Sequence, residues 1–72
     1  MERIQIENME DWLAWKQRII EGNFTLWQTQ YGWDLPEGLI ARFMDPADQR
    51  FEIVTHNKAI SENIDKSGLS EI

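Results

Sequence analysis

Four tryptophans stand in a chain of 72 residues that contains no cysteine. No disulfide can staple such a chain, and no thiolate can hold a structural zinc. A domain this short buries only about 60% of the surface its unfolded chain exposes, so it needs every large apolar group it can bury. Trp12, Trp15, Trp27 and Trp33, backed by Tyr31, Phe24, Phe43 and Phe51, supply that burial. Aromatic residues also anchor protein–protein contacts, so each one is either core or contact surface.

The length predicts one domain, over 1–66, with 67–72 as a C-terminal tail. No apolar run approaches the roughly 18 residues that a membrane span needs. The first residues, Met1-Glu2-Arg3-Ile4-Gln5-Ile6-Glu7, lack the basic-then-apolar order of a signal peptide. With no cysteine to oxidise, the expected location is the cytoplasm. Thirteen acidic against seven basic residues give a net charge of −6. That charge repels phosphate backbones, so direct nucleic-acid binding is not expected. It also leaves a sharper alternative: an acidic inhibitor, phage or mobile-element encoded, that imitates nucleic acid in the basic site of a DNA-acting protein.

The local pattern divides the chain cleanly. Residues 2–7 alternate, with Ile4 and Ile6 on one side, which predicts a strand with one buried face. Asn8 is a helix N-cap, and Glu10 and Asp11 suit the positive end of a helix dipole. Apolar residues at 9, 12, 13, 15, 19 and 20 share one arc of a helix over 9–21, with Gly22 as the C′ residue that stops it. Lys16 lies within that arc, either snorkelling over apolar surface or stacked on a tryptophan.

Residues 23–33 are rich in Thr, Trp, Tyr and Phe and read as a strand. Simple alternation puts Phe24, Leu26, Gln28 and Gln30 on one face and Thr25, Trp27, Thr29, Tyr31 and Trp33 on the other. A Pro-Gly turn follows at 34–38, then strands at 39–44 and 50–56 joined through Asp45-Pro46-Ala47-Asp48-Gln49. A helix over 35–44, capped by Asp34, competes with the first of these strands, but Gly38 weakens it by about 1 kcal/mol. Ala59, Ile60 and Ile64 share one face of a short helix over about 58–66.

These elements predict a two-layer α+β domain. A small antiparallel sheet in the order β-α-β-β-β carries one amphipathic helix on one face, with a short C-terminal helix to follow. Ile4, Ile6, Phe24, Leu26, Phe51, Ile53 and two of Leu39, Ala41 and Phe43 form the covered face, under Met9, Trp12, Leu13, Ile19 and Ile20.

Catalytic chemistry has little to work with. His56 is the only histidine and falls near a strand end. Asp45, Asp48 and Glu52 do not follow calcium-loop spacing and read as turn formers and a strand residue. The four glycines stand alone, so no phosphate loop is present, and no serine sits in a nucleophile elbow. The expectation is a protein with no catalytic, cofactor or metal residues. The candidate contact residues are Trp27, Tyr31, Trp33 and Arg42, on the sheet face away from the helix. Either a partner, foreign or a second copy in a homo-oligomer, covers them, or the C-terminal segment folds over them, or a bulge turns Trp33 inward.

Overall fold

The computed structural model describes residues 1–32 and 35–69. The elements are β1 (Glu2–Gln5), α1 (Met9–Glu21), β2 (Thr25–Tyr31), β3 (Leu39–Met44), β4 (Arg50–Thr55) and α2 (Lys58–Lys66). The two-layer α+β class is as the residue pattern predicts, and 39–44 is strand rather than helix. Two details of the architecture differ.

First, the sheet is mixed. Its order is β1-β4-β3-β2, with β1 parallel to β4 and the other neighbours antiparallel. The reason is the helix. α1 carries the chain across one face of the sheet, so β1 and β2 run the same way, as strands joined by a crossover do. Two hairpins then alternate direction from β2 to β4, which leaves β4 parallel to β1.

Second, both helices pack on the same sheet face. One cluster joins Trp12 and Ile19 of α1, Ile60 and Ile64 of α2, and Leu26, Leu39, Ala41, Phe43, Phe51 and Ile53 of the sheet. All three of Leu39, Ala41 and Phe43 point into it. Phe51 is its aromatic centre, with ring centroids of Phe24, Phe43 and Trp15 at 5.0, 5.4 and 5.6 Å. The indole N–H of Trp12 donates to Asn63 Oδ1 at 2.7 Å, and Lys16 Nζ donates to the same oxygen at 3.4 Å. That shared acceptor joins the two helices. Lys16 is half-buried at this seam; the stacked cation on α1 is Arg18, 5.0 Å from the Trp15 ring.

α1 starts and stops where its residues dictate. The Asn8 side chain accepts from the Asp11 N–H at 2.8 Å. At the other end Gly22 has φ −86°, and the left-handed residue is Asn23, at φ 57°. Gly22 is needed for room instead, since a Cβ there would meet the Phe24 ring at 2.8 Å. Leu13 and Ile20, expected to cover the sheet, are 50% and 55% exposed. Trp12 and Ile19 lie seven residues apart, nearly in line along the helix, and they set the buried direction. Leu13 and Ile20 are each rotated about 100° further round, at the rim of the apolar arc.

The C-terminal segment belongs to the packed structure as far as Leu69. The Leu69 side chain packs against the core, and its carbonyl accepts from the Leu26 N–H of β2 at 2.9 Å. No helix among the described residues is long and apolar enough to cross a membrane.

Candidate interaction surface

The side of the sheet away from the helices is built by Arg3 and Gln5 of β1, Arg50, Glu52 and Val54 of β4, Ile40, Arg42 and Met44 of β3, and part of β2. No described helix or strand lies over it. Ile40 and Val54 form its apolar floor and are themselves buried. Above that floor a charged network runs across three strands. Glu52 Oε1 accepts from Arg3 Nε at 2.9 Å, and Glu52 Oε2 accepts from Arg42 Nε at 3.0 Å. Arg42 Nη1 then donates to Gln30 Oε1 at 2.9 Å, which extends the network to β2.

β2 does not alternate as its residue order suggests. Leu26 pairs with Phe43, but Gln28 pairs with Arg42, so Trp27 is an extra residue in a β-bulge. The bulge reverses the faces of everything after it. Gln28 and Gln30 turn to the outer face, beside Arg42 and Ile40. Thr29 and Tyr31 turn to the helix side, opposite Ala41 and Leu39. The expected grouping of Trp27, Tyr31 and Arg42 on one face is therefore corrected. Trp27 and Arg42 share the outer face, where the Arg50 guanidinium sits 5.4 Å from the Trp27 ring. Tyr31 is on the other side, and its hydroxyl donates to Asp65 Oδ2 of α2 at 2.7 Å. That bond, with partial burial and the charge of Asp65, raises the Tyr31 pKa above its ordinary value, which keeps the phenol a donor at neutral pH. Trp33 lies outside the described residues.

Tyr31 also borders a cleft of about 260 Å³ with Glu37, His56, Lys58, Ser61 and Glu62. A second, of about 350 Å³, opens between Asn23, Thr25, Met44 and the β3–β4 turn. Among the described residues no three His, Asp or Glu side chains come together as metal ligands. The carboxylate of Asp45 is taken up by its own turn, accepting from the N–H groups of Ala47 and Gln49 at 3.0 and 2.7 Å.

His56 is exposed and tied to Glu7, whose carboxylate accepts from the His56 N–H at 2.9 Å and lies 3.3 Å from its Nδ1. Glu7 thereby clips the β1–α1 connection to the end of β4. Burial acts to raise the Glu7 pKa, but hydrogen bonds from Gln5 and His56 and the charge of His56 outweigh it and hold the pKa below the ordinary carboxylate value. A depressed carboxylate stabilises the fold above its unfolded pKa and loses that contribution as pH falls through the folded value. Glu7→Gln is therefore expected to lower the melting temperature at neutral pH, and the gap to the parent is expected to close progressively as pH falls below the ordinary carboxylate range, about 4.3. Melting curves of both chains across that range measure it, and a gap that does not close on acidification would remove the ionic explanation.

Comparison of the chain with protein-family models, with curated proteins and with solved structures finds no match.

Proposed function

We propose that this chain is a small non-catalytic protein-interaction module whose contact surface is the outer sheet face around Trp27, Arg42 and Arg50. The observation that supports the reading is the asymmetry of the two layers. Both helices crowd one face of the sheet, while the other holds Trp27 and three of the four arginines. In a chain of net charge −6, that gathers three cations, ion-paired to Glu52 and Asp48, on the face that no described helix or strand covers. Trp and Arg are the residue types that most often carry interface energy. The partner surface complementary to this face is acidic, because its three arginines outnumber Glu52 and Asp48, the carboxylates paired with them. The absence of cysteine suits a partner in the cytoplasm. The alternative of an acidic mimic of nucleic acid has no comparable observation behind it, since the described acids are divided between both helices, the strands and the turns.

The test uses a partner captured from the native host, identified, purified and titrated by calorimetry. Trp27→Ala is expected to leave the far-UV spectrum unchanged and to weaken binding by about 2 kcal/mol, roughly 30-fold. Arg42→Ala is less clean, because it also breaks the Glu52 network. Unchanged affinity in a folded Trp27→Ala protein would refute the reading.

A further inference from the structure

We propose that the outer edge of β2 pairs with the same edge of a second copy, antiparallel about Gln30, to make a continuous eight-stranded sheet. This inference does not depend on the outer-face reading, and different residues test it.

The two edges of the sheet are unlike. β1, at one edge, has four residues, of which Glu2 and Arg3 are charged. β2, at the other, has seven, Thr-Leu-Trp-Gln-Thr-Gln-Tyr, with no charge, proline or glycine. Lysine, proline and inward charges are the usual protections of an edge strand, and β2 has none of them. It has two local ones, both at its N-terminal half. The Leu26 N–H is already bonded to Leu69, and Trp27 interrupts the ladder as a bulge. Pairing is thereby confined to residues 28–31.

The backbone of that stretch sets the register. The Gly32 N–H donates to the Gly38 carbonyl, so Gly32 faces β3. Alternation then turns Tyr31 and Thr29 outward and Gln30 and Gln28 inward to β3. Tyr31 and Thr29 each offer an N–H and a carbonyl at the edge. An antiparallel copy centred on Gln30 sets Thr29 against Tyr31 of the other chain twice, so all four outward groups on each side find a partner. The pairing is self-complementary, as a two-fold contact requires. It would also cover Tyr31, one of the large exposed apolar residues among those described, at 58% exposure.

Net charge opposes this occupant, and the uncharged edge limits the opposition. Two chains of net charge −6 repel, and the uncharged stretch 28–31 is where their backbones can approach closely. The two-fold axis stands perpendicular to the sheet, because antiparallel neighbours related by rotation must keep their faces. The helices of both copies then lie on one side, and the two Arg-bearing faces form one platform on the other.

The contact is short, so association is weak and concentration-dependent, and added salt strengthens it by screening the like charge. Sedimentation from micromolar to millimolar protein should show the mass rising from 8.6 kDa toward twice that value. Thr29→Lys places a cation on an exposed edge position and should hold the chain monomeric with its fold intact. Because the chain has no cysteine, single Gln30→Cys and Gln5→Cys variants report the contact cleanly. Gln30 would stand opposite its own copy in a non-hydrogen-bonded pair, at a spacing a disulfide can bridge. Mild oxidation should therefore cross-link Gln30→Cys far faster than Gln5→Cys. A constant monomer mass, association that survives Thr29→Lys, or equal cross-linking at the two edges would overturn the proposal. Trp27→Ala should leave the self-association unchanged, which separates this result from the test of the outer face.

Discussion

Trp12→Ala is expected to produce the largest loss of stability of any single aromatic truncation in this chain. The side chain is 0% exposed and sits where α1, α2 and the sheet meet. Its removal deletes the largest buried side chain and leaves a cavity that the two helices can close only by moving together. It also takes away the shorter of the two hydrogen bonds to Asn63, so among the described residues the seam keeps the longer Lys16 bond and the packing of Ile19 with α2. The combined cost is about 4 kcal/mol, in a domain whose whole stability is about 4–10 kcal/mol. Thermal melting followed by circular dichroism should show a midpoint lower by about 15–30 °C, or no cooperative transition. Trp12→Phe keeps most of the volume and loses the N–H, so it is expected to fall between the parent and the alanine variant. A midpoint shift of only a few degrees in Trp12→Ala would mean that the helices do not share this anchor.

The features that could be read in advance are those decided within a few residues of one another. α1 begins after Asn8 because the cap oxygen and the Asp11 N–H are three residues apart, and its apolar arc is visible in the same window. α2 is similar: Asn57 caps it by accepting from the N–H groups of Ala59 and Ile60, and Ile60 and Ile64 lie one turn apart. The β3–β4 turn follows from Asp45, whose carboxylate binds the amides just after it. The inner-face residues of β3 and β4 follow from alternation, which no bulge disturbs in those strands.

What could not be read depends on partners far along the chain. The parallel seating of β1 is a consequence of how the crossover and two hairpins add up, and nothing in residues 2–7 states it. The bulge at Trp27 did leave a trace. Strict alternation put Gln28 and Gln30 on the same face as Leu26, facing the core, which conflicts with burying apolar groups. Two glutamines in line behind a leucine could have signalled a change of face. Placing that change at Trp27 needs the pairing with β3, because only the register shows which residue is extra. Tyr31 moved from the outer face to the helix side for this reason alone. A helical arc has a width but no marked centre until Trp12 and Ile19 find the sheet, so the rim positions Leu13 and Ile20 read as core in the sequence.

Glu52 is the residue whose role was least visible, and its replacement carries the second large effect. Its side chain is only 9% exposed, in the middle of the outer face, and both carboxylate oxygens are engaged by arginines 49 and 10 positions away in sequence. A carboxylate so placed is tolerated because two guanidinium groups replace its water. Glu52→Ala leaves Arg3 and Arg42 facing each other without the anion between them, and Arg42 is itself only 20% exposed. The expected loss is about 3 kcal/mol, measured as a lower urea midpoint at an unchanged slope. Most of that loss comes from leaving the part-buried Arg42 guanidinium without its anion and little from the net worth of the pairs, because desolvation offsets much of a buried ion pair's attraction. A triple variant with methionine at 3 and 42 and leucine at 52 is therefore expected to recover most of it, since the buried carboxylate and the part-buried Arg42 cation are then removed together. Recovery would also separate two properties of this face. The triple variant should fold as well as the parent and yet lose affinity for an acidic partner. A triple variant as unstable as Glu52→Ala would instead show that the ion pairs themselves hold β1 against β4 and β3.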